Sequence, residues 1–411
     1  MTGTKPHHAP QIHFPVVDDV LQVGGIPLTR LALRIGRTPF FAMDRALCSA
    51  RVADLRAVLP PDVALHYSVK ANPMPALVQH MAGLVDGLDV ASSGELRTAL
   101  DTGKDPARIS FAGPAKLEAE LRQAIAAGVC LNLESQHELD SVARIGDLLG
   151  ITPRVALRIN PEFELKSSGM KMGGGAKPFG IDAELAPQML AQVAALGLDY
   201  QGFHIFSGSQ SLRLDAIIEA QSHSIELAMR LAGDSTLATR QINIGGGLGI
   251  PYFPGEARLD PAPMGEHLAR WLPRLAQALP QARLALELGR YLVGEAGVYV
   301  ARVIDRKVSR GEVFLVLDGG MHHHLAASGN LGQVIRKNYP VAVGNRMAPH
   351  GSGPASATGP LCTPLDILAE RMELAHARIG DLIVVFQSGA YGASASPANF
   401  LGHPPALEVL V

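Results

Sequence analysis

Residues 64–73 read ALHYSVKANP. An apolar, β-prone run delivers a lysine, Lys70, and breaks at once into Ala-Asn-Pro. Lysine ordinarily sits in water on a helix face, so one at the mouth of a buried strand calls for a chemical reason. The same grammar recurs outward from this stretch. Short β-rich runs are ALHYSVK (64–70), GLDVAS (87–92), RISFAGP (108–114), VCLNLES (129–135), RVALRINP (154–161), YQGFHIFSGS (200–209), QINIGGG (241–247) and RLALELGR (283–290). Between them lie segments such as PALVQHMAGLV, LEAELRQAIAAG and AIIEAQSHSIELAMRLAG. Their apolar residues recur at three and four, and several open on Ser, Pro or Asp and close at Gly, as capped helices do. Eight strands alternating with helices over roughly 230 residues predict a (β/α)8 TIM barrel rather than its rival, an open doubly wound sheet.

The barrel is expected over residues 46–291. Beyond residue 292 the texture changes: VYVARVIDRKVSRGEVFLVLDGG and ARIGDLIVVFQSGAYG alternate or run apolar between Gly and charged turn residues, an all-β pattern. The strand-like TPFFAMD (38–44) is expected to join this C-terminal all-β domain, giving it residues 1–45 and 292–411. GNRMAPHGSGPASATG (344–359) reads as a loop.

Of 411 residues, 47% are apolar and 18% charged, enough to bury a sizeable core. A net charge of −2 gives no electrostatic case for nucleic acid or an anionic membrane. Cys48, Cys130 and Cys362 are far apart and form no metal or disulfide pattern. The N-terminal residues have no apolar signal region, and no run approaches membrane-spanning length. These features read as a soluble cytoplasmic protein without metal.

In a barrel of this kind the site lies at the C-terminal ends of the strands. Lys70 ends the first, Asp89 the second, His204 and Ser207 the sixth. Gly245, Gly246 and Gly247 follow the seventh, and Glu287, Gly289 and Arg290 end the eighth. A lysine among apolar neighbours has its pKa lowered by desolvation, and its free amine can form a Schiff base with an aldehyde. Three glycines leave bare N–H groups that can approach a phosphate, although alone they fit a tight turn equally well. Arg290 adds a fixed positive fork where barrels commonly bind phosphate, after strands seven and eight. Lysine, phosphate site and acid in one mouth point to pyridoxal 5′-phosphate (PLP). Glu287 would keep the pyridine nitrogen protonated, making the ring an electron sink, and His204 would lie against its face. A lone histidine or strand-end carboxylate is more often structural, so the set carries the reading.

YSVKANP, LDVASSGEL, FHIFSGSQ, NIGGGLGI, ELGRYLV, GPLCTPLD and SGAYG follow one another along the chain. In this order they resemble the motifs of fold-type III PLP-dependent decarboxylases, the diaminopimelate/ornithine/arginine decarboxylase group. The resemblance implies a homodimer with shared active sites. It implies Lys70 as the Schiff-base lysine, His204 on the PLP ring, and Ser207 with Gly245–Gly247 at the phosphate. It further implies Glu287 as the pyridinium partner and Gly289 and Arg290 from the same motif. Tyr391 would reach the phosphate, and Asp89 and Glu95 would form an acidic pair near the ring with Arg158 close by. Cys362, supplied by the neighbouring subunit, would protonate the carbanion after CO2 leaves. A thiol holds its proton at neutral pH, whereas composition alone would read Cys362 as a core cysteine.

Three stretches depart from that group. Diaminopimelate decarboxylases carry a glutamate just after the cysteine, and ornithine decarboxylases an aspartate, to meet the substrate's distal amine. Here the position is Thr363, and Asp366 is the remaining candidate acid. With Arg290 and Tyr391 these are the candidate substrate-binding residues. MHHHLAASGNLGQVIRKNYPVAV (321–343) lacks the group's Arg-Pro, with Arg336 and Tyr339 as candidate replacements. Its three histidines are adjacent, and on a strand neighbours point to opposite faces, which argues against a metal site. KSSGMKMGGGAKPFGID (166–182) is long, Gly- and Met-rich, and basic through Lys166, Lys171 and Lys177. It looks like the branch that decarboxylates aminoacyl groups tethered to an acyl carrier protein, and the whole chain resembles decarboxylases associated with bacterial exosortase systems. The same loop equally fits a solvated flap over the cofactor.

The function expected is PLP-dependent α-decarboxylation of an amino acid, like that of diaminopimelate decarboxylase; free meso-diaminopimelate is the default substrate that the resemblance implies, and a modified or carrier-tethered amino acid fits the departures better. The alternatives are an alanine-racemase-like isomerase and a non-catalytic PLP-binding protein. Racemases place an arginine at the pyridine nitrogen, so Glu287 argues against the first. The second would lack the lysine, the cysteine or the dimer.

Overall fold

The computed structural model describes residues 7–164, 170–331, 337–348 and 353–411; Lys166, Arg336 and the side chain of Lys171 lie outside the described residues. The chain forms two compact units. One is made of Arg51–Gly249 and Leu259–Gly289; the other takes the chain up to Ala50 with Ile250–Arg258 and Arg290–Val411.

The first unit is a closed parallel barrel. Its strands are β1 (Ala64–Ser68), β2 (Gly87–Val90), β3 (Ile109–Phe111), β4 (Cys130–Leu133), β5 (Arg154–Asn160), β6 (Asp199–Ile205), β7 (Gln241–Asn243) and β8 (Arg283–Leu288). They pair in sequence order, and β8 returns to β1, which excludes the open sheet. Each strand is shorter than the run that announced it. β1 stops at Ser68 because Val69–Ala71 turn into a single 3-10 turn. β7 stops at Asn243, since Gly245 and Gly247 take φ of +67° and +82°, a backbone no strand uses.

The connecting helices show the capping that the sequence announces. Ser92 Oγ accepts the Glu95 N–H at the start of helix Ser93–Asp101, and Ser135 Oγ accepts that of Glu138 at the start of Gln136–Leu149. Gly128 and Gly150 close helices in the left-handed conformation. Strand alternation then sorts the side chains. Along β1, His66 and Ser68 share one face, turned towards Asp89 and Glu287, while Leu65 and Tyr67 take the other and are fully buried. A barrel interior is ordinarily filled by branched aliphatic residues. This one also holds His66, Asp89, Arg158, His204 and Glu287, all buried. Buried charges persist when paired, and each of these has a partner.

The second unit is built on the long strand Gly297–Ser309. Its first half pairs antiparallel with Phe40–Met43 and Leu382–Val385, and its second half with Glu312–Leu317. Phe40, Val298, Val300, Leu382, Val384 and Phe386 form the core; burying each such side chain contributes about 1.5–3 kcal/mol. The stretch 344–359 is not all loop. Ala355–Thr358 is a strand, parallel to Glu312–Leu317 and antiparallel to Ile367–Met372. Its Gly/Pro/Ser surroundings hid a run of small residues that two neighbouring strands bury. No described helix is long and apolar enough to cross a membrane.

Candidate active site

The barrel mouth is organised around Glu287, at the inner face of β8. Its Oε1 accepts the Ser68 hydroxyl at 2.7 Å and lies 3.9 Å from Lys70 Nζ; its Oε2 meets His204 Nε2 at 2.8 Å. Burial opposes ionisation of this carboxyl, but His204, Lys70 and Ser68 more than offset it and hold it well below the usual carboxylate range. Lys70 differs from the expectation. Its side chain is 41% exposed, with Nζ 5.3 Å from the Phe206 ring centroid, rather than sunk among apolar groups. The physical reason is the early end of β1: Lys70 rides on the 3-10 turn above the strand, beside a carboxylate and open on one side.

Asp89 sits one strand over on β2. Its Oδ1 takes the Ser110 hydroxyl and stands 3.2 Å from His66 Nδ1, while its Oδ2 is buried without a partner among the described residues. His66 pays for its burial, yet Asp89, Glu287 and Asp86 raise its pKa above the ordinary value. Glu95 caps the next helix, accepting the Ala91 N–H at 2.8 Å, and burial raises its pKa although Lys70 pulls the other way.

Ser207 and the glycines form the adjoining rim. Asn243 Oδ1 accepts the Gly245 N–H at 2.9 Å, and Gly245 O accepts that of Glu287 at 2.9 Å. A Cβ on Gly246 would lie 2.3 Å from Glu287 O, and one on Gly289 2.7 Å from the Ala71 methyl. Only glycine lets this turn close on β8. A cavity of about 200 Å3 opens at Lys70, with Asp89, Glu287, Arg158, Met172 and Phe179 among its lining residues.

The second unit holds another polar cluster. Arg290 is half-buried; its guanidinium donates to Tyr252 Oη at 2.9 Å and stacks 4.6 Å from the Tyr391 ring centroid, and its Nε is buried with no partner among the described residues. Tyr391 adopts φ +54°, uncommon for a bulky residue. Tyr339 packs on Tyr252 at 4.4 Å between centroids, so it belongs to this arginine–phenol cluster. Cys362 is exposed, next to Thr363. Asp366 is not open to a ligand. It is 2% exposed, and its two oxygens accept the Met321 and Leu361 N–H groups at 2.6 and 2.9 Å. It braces the cysteine loop. The three histidines occupy turns rather than a strand, with His323 Nε2 2.9 Å from Pro404 O and His324 Nε2 2.9 Å from Ser388 Oγ.

Sequence reasoning missed Glu134, Lys116, His66 and Tyr252. Glu134 follows β4 and bonds Arg158 Nη1 at 2.9 Å; Lys116, 1% exposed, bonds Glu138 Oε1 at 2.6 Å. The signal for Glu134 was present: a carboxylate at a strand end, before a Ser cap, just as Asp89 precedes the serines of ASSGEL.

Comparisons with known proteins bear on the family. The family described as "Pyridoxal-dependent decarboxylase, pyridoxal binding domain" matches residues 45–294. The L-glutamyl-[BtrI acyl-carrier protein] decarboxylase of Niallia circulans is 36% identical over 389 residues, covering 93% of this chain and 90% of the relative. Diaminopimelate decarboxylase of Aquifex aeolicus is 32% identical over 397 residues, 96% and 91% of the two chains. Among solved structures, diaminopimelate decarboxylase from M. jannaschii in complex with L-lysine superimposes with a TM-score of 0.87 at 25% identity, over 98% of this chain and 93% of that one. By the match over its whole barrel and the identity over nearly its whole length, this chain belongs to the pyridoxal-dependent decarboxylase family.

Proposed function

We propose that this PLP-dependent amino-acid decarboxylase acts on an amino acid held on an acyl carrier protein through its side-chain carboxyl, with the α-amine and α-carboxylate free, a glutamyl group in the first instance. The observation that carries the substrate reading is the cysteine loop. Thr363 replaces the acid that would meet a distal ammonium, and both oxygens of Asp366 are engaged by backbone N–H groups. A buried ammonium without a counter-charge is costly, so a diaminopimelate-like substrate is poorly matched. The full-length likeness to a decarboxylase named for a carrier-bound glutamyl substrate points the same way.

The barrel-mouth residues fit PLP. The cavity beside Lys70 offers an amine, carboxylates and a guanidinium, and in the Gly245–Gly247 turn Gly246 is half-buried while the Gly245 N–H is held by Asn243. Asp89 Oδ2 and His204 Nδ1, buried and unpartnered among the described residues, are polar atoms that a ligand can satisfy. Lys70 would hold the aldehyde carbon, Glu287 the pyridine nitrogen, His204 the ring face, and Ser207 with the glycines the phosphate. Arg290 and Tyr391 would serve the phosphate and the substrate. Bound PLP supplies the electron sink for the pair left when CO2 departs. The chain's own work is to keep Glu287 ionised through His204, Ser68 and Lys70, and to present a proton. In this reading Cys362 Sγ, from the partner of a homodimer, gives that proton to the α-carbon.

The test is CO2 release by the PLP-loaded protein from glutamyl-carrier protein, compared with free meso-diaminopimelate, lysine, ornithine and arginine. Release from the tethered group alone is expected. Robust release from a free diamino acid overturns the substrate reading and leaves the reaction class intact.

A further inference from the structure

Glu134 is buried, and its carboxylate gathers donors from three parts of the mouth. Oε1 accepts the Gly113 N–H at 2.5 Å from the loop after β3 and Arg158 Nη1 at 2.9 Å from β5. Oε2 accepts the Gly180 N–H at 3.1 Å. Lys116 Nζ stands 4.0 Å away. Burial opposes ionisation, but Arg158 and Lys116 prevail and hold the carboxyl below its usual range.

Gly180 ends the described arm of the 166–182 loop, and that arm lies against the Lys70 cavity. Met172 and Phe179 line the cavity, and the Arg158 guanidinium sits 5.1 Å from the Phe179 ring centroid. The arm is fastened along its length. The Met172 N–H reaches Ser207 O at 3.2 Å, the Gly174 N–H reaches Pro161 O at 3.1 Å, and Asn160 Nδ2 reaches Gly175 O at 2.8 Å. At its end Gly180 takes φ +76°, and a Cβ there would lie 2.9 Å from Arg158 O and Asn160 N. The backbone can pass this close to β5 only as glycine, which puts its N–H on Glu134.

We infer that Glu134 is a positioning residue: it latches Met172–Gly180 as one wall of the cofactor cavity and aims Arg158 into the same space. The inference rests on reading the Lys70 cavity as the PLP site. Glutamine at 134 has one acceptor oxygen and brings an NH2 group to a point where three N–H groups converge, so at least one of them loses its acceptor.

The experiment compares Glu134→Gln with wild type by hydrogen–deuterium exchange of peptides spanning 172–182 and by PLP titration of the apoprotein. Exchange at least tenfold faster in that arm than in the rest of the barrel, with PLP binding at least tenfold weaker, is expected. PLP affinity and exchange both within twofold of wild type overturn the inference. Faster exchange with unchanged PLP affinity also overturns it, since the latch would then serve packing alone. If Glu134→Gln does not fold, Gly180→Ala disturbs the same latch from the loop side and must give the same two changes. Lys70→Ala, titrated in parallel, separates the two readings: loss of lysine-bound PLP absorbance there upholds the site whatever Glu134 does.

Discussion

Nζ of Lys70 lies 3.9 Å from Oε1 of Glu287, so the amine assigned to the aldehyde and the acid assigned to the pyridine nitrogen face each other across the junction of β1 and β8. The same carboxylate is braced by Ser68 and His204, leaving it ionised and fixed.

Glu287→Gln removes that fixed charge while nearly preserving shape. CO2 release should fall at least 100-fold, about 2.7 kcal/mol in the barrier, with PLP still bound. Steady-state turnover with the absorbance of bound PLP checks this. Near-normal turnover contradicts the electron-sink role.

His66 and Asp89 form a buried pair whose charge depends on pH. Burial lowers the imidazole pKa, but Asp89, with Glu287 and Asp86 behind it, raises it further than burial lowers it. A raised folded-state value means the pair's stabilisation is fully present below the unfolded value of about 6.5 and is lost as pH rises through the folded one. The His66 imidazole should therefore titrate above about 6.5 by NMR in wild type and below it in Asp89→Asn. The melting-temperature gap between wild type and His66→Asn should be widest on the acid side and narrow towards alkaline pH. A gap that widens with pH contradicts the pairing.

Gly246→Ala places a methyl 2.3 Å from Glu287 O and from Leu288 Cδ2. Overpacking of this kind costs about 1–3 kcal/mol. Because the strain falls on the residue that carries Glu287, PLP affinity should drop at least tenfold. Urea unfolding and PLP titration measure the two effects; unchanged PLP affinity would remove this turn from the site.

Arg290→Lys keeps a charge but not a plane. The guanidinium stacks on Tyr391 at 4.6 Å and donates to Tyr252. A desolvated cation–π contact is worth about 2 kcal/mol, and lysine's compact ammonium is more strongly hydrated. Turnover should fall ten- to a hundredfold with the fold retained, read as kcat/KM beside a melting curve. Full activity would reduce Arg290 to a generic cation.

The barrel was legible because β-runs and helix caps obey local rules: ASSGEL and ESQHEL each announce a Ser-capped helix after a strand, and Gly245–Gly247 announce a turn. Strand-end position singled out Lys70, Asp89, His204 and Glu287 as candidates for the same reason. What stayed hidden depends on cross-strand neighbours. His66 reads as an ordinary strand residue until β2 brings Asp89 beside it. Tyr252 sits in no motif until Arg290 reaches it. Lys70 reads as desolvated only if the strand runs to the end of ALHYSVK, and the strand stops two residues earlier. Asp366 was a candidate for substrate only because its two backbone partners lie outside its local sequence.

The central claim is that Lys70 carries PLP in this barrel mouth. Borohydride reduction of the PLP-loaded protein, followed by peptide mass mapping, tests it most directly. A pyridoxyl adduct on the peptide containing ALHYSVKANP, lost in Lys70→Ala, is predicted. An adduct on another lysine, or an unchanged yield in Lys70→Ala, would contradict it.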